Sequence, residues 1–191
     1  LHSAMEAPTS VSALLHAATM VQAGIYLLSR FTLIFAAAPA LIEALMPAWF
    51  PTIAWVGVLP AFVGASLAVM TTDRQRVLAY STVSQIGFMM AGLGTAFSGH
   101  VVDVSLSTGW FASLFHMMSH AFFEGLGFLL AGGIIHALGT RDMRLMGGLK
   151  KAMPITFALA VIMIVTTSGL PPFASFFSKG LIITSVMETG N

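Results

Sequence analysis

Residues 115–130 read FHMMSHAFFEGLGFLL, two histidines and a glutamate set in an otherwise apolar, aromatic run. His116, His120 and Glu124 are four apart. On a helix advancing about 100° per residue, each is therefore rotated only roughly 40° from the last, and all three share one face. Neighbouring backbone positions lie about 6 Å apart along the axis, a gap that long side chains or one water can bridge. Histidine exchanges protons near pH 7, and burial can bring carboxylates and amines into the same range. The spacing and the residue types together suit a proton relay. The alternative for the two histidines is satisfaction by neighbouring hydroxyls; for Glu124 it is a plain hydrogen bond to His120 or pairing with a distant lysine.

Two further ionisable residues stand inside apolar runs, His16 and Lys179. Each such group costs at least roughly 2.5–3.5 kcal/mol on insertion scales, so it is expected to face a bundle interior or water. Thr19, Tyr80, Thr82, Ser84, Gln85 and Ser119 are the polar side chains able to hold bridging waters, although each serves ordinary interhelical hydrogen bonding equally well. His136 lies near the end of its run, within reach of lipid headgroups.

The elements that must carry these residues are membrane spans. The 191 residues are 57% hydrophobic and 8% charged, whereas soluble domains carry about 25% charged residues. This excludes a soluble globular protein. Eight Lys+Arg against seven Asp+Glu give a net charge of +1 and no basic stripe, which sets nucleic-acid binding aside. Without cysteine the chain cannot hold a disulfide, a Cys-ligated zinc or an iron–sulfur cluster. No Ser-His-Asp, Walker or dinucleotide pattern is present, and AGGII at 131–135 suits close helix packing better than phosphate binding. No metal and no cofactor are expected in this chain.

A span needs about 20 apolar residues, and six apolar runs qualify or nearly so, at about 9–35, 51–71, 74–97, 105–138, 153–170 and 173–187. Thr9 or Ser10 after Pro8 is placed to cap the first, and TTD caps the third. Between the first two runs, Pro39, Glu43 and Pro47 mark a loop or interfacial helix with Trp49 at headgroup depth. Gly169, Pro171 and Pro172 interrupt the helix after the fifth run. This is either a broken helix at membrane depth, beside Lys179, or a tight turn between two spans. Six of the eight basic residues (Arg74, Arg76, Arg141, Arg144, Lys150 and Lys151) fall in two loops that alternation puts on one side, assigned to the cytoplasm by the positive-inside rule. The expected architecture is all-α, one polytopic transmembrane bundle. Neither LHSAMEAPTS nor SVMETGN has the marks of a natural terminus, so the chain is read as a fragment of a longer protein.

AMEAPTSVSALLHAATMVQAGIYLLSRF, TTDRQRVLAYSTVSQIGF, FHMMSHAFFEGLGFLLAGGII, MGGLKKAMP and GLPPFASFFSK together resemble the antiporter-like proton-pumping subunits of respiratory complex I and related complexes. The likeness covers nearly the whole chain and is greatest to the largest, distal subunit; multisubunit Na+/H+ antiporters and membrane-bound hydrogenases are relatives. It implies inverted five-helix repeats, each with a broken helix, of which this chain holds the last helix of the first repeat and most of the second, with Glu6 at the preceding break. It further implies that His16, His116 and His120 lie on a central hydrophilic axis and that Lys179 stands near the exit of the second half-channel. Three positions depart from the family pattern: Glu124 where the distal subunit has lysine, Gln75 in the TDRQR loop, and Gly180 after Lys179.

The function so implied is proton translocation in a complex I-like NADH (or other donor):quinone oxidoreductase, with the redox chemistry in other subunits. The chain would be enzymatic only as part of such a translocase. The alternatives are a subunit of a multisubunit Na+/H+ antiporter and, less favoured, a non-transporting scaffold resting on Gln75, Gly180 and Glu124. Expected partners are other membrane subunits, the bilayer and protons or Na+, in a multi-pass protein of a prokaryotic cell membrane.

Overall fold

The computed structural model describes residues 11, 15–17, 19–38, 40, 43–44, 48–96 and 107–188. Thr9, Ser10, Glu6, Pro39 and Pro47 lie outside them. The described residues form helices α1 (Met20–Ala36), α2 (Trp49–Met70), α3 (Arg74–Gly94), α4 (Thr108–Leu138), the single turn α5 (Leu149–Ala152), α6 (Pro154–Ser168) and α7 (Ala174–Glu188). Among them no strand occurs beyond an isolated antiparallel bridge between Asp73 and Asp142. The region from Leu15 to Phe35, together with α2, α3 and α4, is long and apolar enough to cross a bilayer; α6 is apolar but shorter.

Local chemistry explains most boundaries. Asp73 caps α3 by accepting from the amides of Gln75 and Arg76, and Ser107 caps α4 by accepting from Trp110. Gly139 and Gly169 end α4 and α6 in left-handed conformations, φ 68° and 74°, where a side chain would be strained. Pro154 opens α6, where its missing N–H costs nothing.

The first apolar run is not one continuous helix. Residues 15–17 are helical, Thr19 is a bend with φ −124° and ψ −82°, and α1 begins at Met20. The Gln22 side chain spans the bend, its Nε2 donating to Ala17 O at 2.5 Å. A side-chain amide thus satisfies a carbonyl that the helix ladder leaves open.

At the other break, α6 and α7 are 15 residues each, about 22 Å at helical rise against about 30 Å of hydrocarbon. Neither half reaches across alone. The peptide bond between Pro171 and Pro172 in the connecting turn is cis.

Helix α2 lies antiparallel against α3 with the two backbones nearly touching: a Cβ on Gly57 would sit 2.6 Å from Ala91 N, and one on Gly64 2.8 Å from Tyr80 O. α4 packs on the opposite side of α3, through Leu78, Ala79, Phe128 and Ala131 at one end. Met89 and Leu93 of α3 join Ile25 of α1 and Ile53 of α2 in a second cluster, with Trp110 and Met117 of α4 against it. The outer surfaces of α2 and α6 remain apolar and exposed, with Phe62 74% and Ile155 76% accessible. That suits contact with lipid or with apolar neighbours.

On the basic face, the loops before α3 and after α4 are clasped together. Arg74 N donates to Arg141 O at 3.1 Å and Met143 N to Thr72 O at 3.0 Å. Beside this clasp Arg144 pairs with Asp142 at 2.7 Å, and its guanidinium holds the Asp142 carboxyl below the usual carboxylate range.

Candidate functional site: a buried polar axis

The polar axis follows from the antiparallel pairing of α3 and α4. In order, Gly92 meets Gly109 and Ser113, Met89 O accepts from Ser113, Gln85 meets His116, and Thr82 meets Glu124. On α3 these positions step back by three, four and three, which is one face of one helix. The polar residues of two helices are thereby aligned into a row.

His116, His120 and Glu124 are each fully buried. His116 Nδ1 lies 2.9 Å from Ser178 Oγ of α7, and its Nε2 2.9 Å from Gln85 Oε1. The amide oxygen can only accept, so the Nε2 carries the proton in neutral His116 and Nδ1 takes the Ser178 hydroxyl. His120 Nδ1 is 3.4 Å from Gln22 Nε2, and its Nε2 faces Glu124 Oε2 at 3.9 Å. Among the described residues no hydrogen-bond partner completes that nitrogen.

Glu124 accepts from Thr82 Oγ1 at 2.9 Å and from Ser81 Oγ at 3.1 and 3.2 Å. Thr82 Oγ1 also lies 3.0 Å from Leu78 O, an alternative target for its proton. Ser81 Oγ is almost equidistant from the two carboxylate oxygens, so it can follow either one. These donors replace part of the hydration that burial takes from the carboxyl.

Lys179 is half-buried, on the turn of α7 that carries Ser178. Its Nζ donates to Thr167 O at 2.6 Å, a carbonyl freed where α6 stops, and stands 5.6 Å from the Phe88 ring centre. A cation at a helix C-terminus complements the helix dipole. The break and the lysine therefore form one unit, joined to the axis through the adjacent Ser178. His16 stacks on Phe128 with ring centres 5.5 Å apart, one helical turn beyond Glu124 on α4. Both its ring nitrogens are buried, and among the described residues neither has a hydrogen-bond partner.

The supporting residues divide. Gln85 belongs to the row. Ser84 instead donates to Ala61 O of α2 at 2.8 Å, Ser119 donates to Phe115 O of its own helix at 3.0 Å, and the Tyr80 backbone lies against Gly64 of α2. Thr19 stands exposed at the bend before α1. Sequence reasoning missed Ser81, Gln22 and Ser178. Ser178 alone had a signal, as the neighbour of Lys179. Among the described residues no group of three His, Cys, Asp or Glu side chains is arranged to hold a metal.

The row matches no hydrolytic, metal or phosphate site; it is a line of titratable and hydrogen-bonding side chains enclosed by apolar helices. Over residues 1–191 the sequence matches the family described as NADH:quinone oxidoreductase/Mrp antiporter, TM. It is 44% identical to a Na(+)/H(+) antiporter subunit from Alkalihalophilus pseudofirmus, the match covering 98% of this chain and 23% of that protein. Against NAD(P)H-quinone oxidoreductase chain 5 of Picosynechococcus sp. the identity is 41%, covering 98% and 27%. The chain thus spans about a quarter of the length of these relatives. Among solved structures, a chain of the Mrp complex from Dietzia sp. DQ12-45-1b superposes with a TM-score of 0.81 at 35% identity, covering 96% of this chain and 18% of that one. A chain of the membrane-bound sulfane sulfur reductase, an archaeal respiratory membrane complex, gives 0.81 at 25% identity, covering 97% and 35%. A multi-pass helical bundle, the aligned polar row and these likenesses agree: the chain is an integral membrane protein belonging to the NADH:quinone oxidoreductase/Mrp antiporter transmembrane family.

Proposed function

We propose that this chain is part of an antiporter-like subunit that moves protons along the α4 row in exchange for Na+, within a multisubunit membrane complex. The carrying observation is Glu124, a fully buried carboxyl held by Ser81 and Thr82 and facing His120 across 3.9 Å. A proton on Glu124 can pass to His120 when the gap closes or a water enters it. His120 and His116 then lead towards Ser178 and, beside it, Lys179. The groups would titrate as a coupled set, because each protonation changes the field on the next.

Sequence reasoning ranked the oxidoreductase first and the antiporter second. The Na+/H+ antiporter relatives support reversing that order. The oxidoreductase reading keeps specific support in the 41% identity to an NAD(P)H-quinone oxidoreductase chain. The deciding experiment uses the full-length protein in its complex, in vesicles with an imposed pH gradient and no electron donor. Na+-dependent collapse of the gradient is expected. Glu124→Gln, which keeps the shape and cannot exchange a proton, is expected to slow it at least about tenfold with the complex assembled. Wild-type rates in Glu124→Gln would remove Glu124 from the path. Proton movement only upon addition of an electron donor would favour the oxidoreductase.

A further inference from the structure

Beside the polar row, a crevice of about 330 Å³ opens between α3, α4 and α6. Its walls are mainly apolar, with Leu78 of α3, Leu130 of α4 and Met163 of α6, and at one end it carries Arg74. Arg74 is the first residue of α3, on the face that holds six of the eight basic residues. From there the crevice runs down to Ser81, seven residues and about 10 Å deeper along α3, and to Thr167, the carbonyl that holds Lys179.

Two neighbouring arginines have carboxylates close by, Arg76 with Asp73 and Arg144 with Asp142. Among the described residues no carboxylate pairs with Arg74, although the residue is half-buried. An arginine at the mouth of an apolar slot needs an anion, and the slot needs a chain of methylenes. One molecule supplies both. We propose that the crevice binds an anionic phospholipid, its phosphate on the Arg74 guanidinium and one acyl chain between α3, α4 and α6. Basic pockets between membrane helices on the positive side bind anionic headgroups, and a guanidinium matches phosphate in a two-pronged geometry. The volume lies at the lower end of ligand sites, of about 300–1,000 Å³, which fits one chain rather than a whole lipid.

The acyl chain would end against Ser81, on the far side of the hydroxyl that donates to Glu124. Lipid in the crevice keeps water out of that side of Glu124, leaving the row as the open route for its proton. The proposal does not depend on which ion the protein carries.

The test places a photoreactive benzoylphenylalanine at Met163 of the full-length protein in its native complex, in membranes containing phosphatidylglycerol. The expected product on illumination is a phospholipid adduct, identified by mass. Its yield is expected to fall roughly fivefold in Arg74→Gln, the weight of one basic side chain at an anionic surface, and to be largely kept in Arg74→Lys. Recovery of the intact complex by gel filtration separates loss of lipid from loss of fold. An adduct with a protein segment would overturn the proposal and assign the crevice to a helix of the same complex. A lipid adduct indifferent to Arg74 would also overturn it, leaving bulk lipid only. No adduct, together with an equal complement of bound phosphatidylglycerol by native mass spectrometry in wild type and Arg74→Gln, would overturn it as well.

Discussion

Towards α2, helix α3 presents Tyr80, Ser84, Gly87, Ala91 and Gly94; towards α4 it presents Leu78, Thr82, Gln85, Met89 and Gly92. Both series advance by fours and threes, the repeat of a helix with two neighbours. The α2 side is made by removing side chains until backbones meet, as at Gly57, Gly64, Gly87 and Gly94. The α4 side is made of side chains whose hydrogen bonds can be exchanged. Lipid offers helices no hydrophobic drive to associate, so close approach of small residues must hold the bundle together. That seam gives the polar side a fixed wall. The contrast is between a surface that fixes position and one lined by titratable and hydrogen-bonding side chains, on a single helix.

The largest effect is expected from Gly87→Leu. A Cβ there already falls 2.5 Å from Gly57 O and 2.6 Å from Ala61 N, both backbone atoms that cannot give way. The variant is expected to lose about 3 kcal/mol or more, the upper range for overpacking, and the assembled complex with it. Normal assembly on gel filtration would show that the seam is loose. A sharper pair is Thr82→Val against Ser84→Ala, two hydroxyls two residues apart on opposite sides of α3. Thr82→Val removes a donor to Glu124 and is expected to slow transport about three- to tenfold with assembly intact. Ser84→Ala breaks only the bond to Ala61 O and is expected to lower thermal stability by about 0.6 kcal/mol, leaving transport unchanged. Equal transport in the two variants would erase the functional distinction.

The smallest effect is expected outside the bilayer. Arg144 holds Asp142 below its ordinary value, so the pair's contribution is fully present above the unfolded carboxylate range and fades as pH falls through the depressed folded value. Arg144→Ala should lower the melting temperature slightly at neutral pH, and the difference from wild type should vanish in strong acid. Arg144 is exposed and Asp142 partly so, and solvent screening of the pair keeps the effect small. A difference that grows on acidification would contradict this reading of the clasp.

What could be read without the fold has a common character. Composition alone required a membrane environment, Asp73 in TTD caps α3 by its own chemistry, and His116, His120 and Glu124 share a face because four-residue spacing leaves little choice. Each of these depends on one helix or on bulk solvation.

What remained hidden depends on how one helix is rotated against another. Ser81 and Ser84 are the same residue type three positions apart, yet only Ser81 turns to Glu124, because α2 occupies the other side. His16 carries the same ring as His120, but its place against Phe128 follows from where residues 15–17 pass α4. Lys179 signals a buried charge in the sequence, and only the meeting of α6 with α7 directs it to Thr167 O. The bend at Thr19 has neither proline nor glycine beside it, and it is made tolerable by Gln22, whose second contact is His120. Spacing along a chain determines which residues share a face; the packing of its neighbours decides what that face meets.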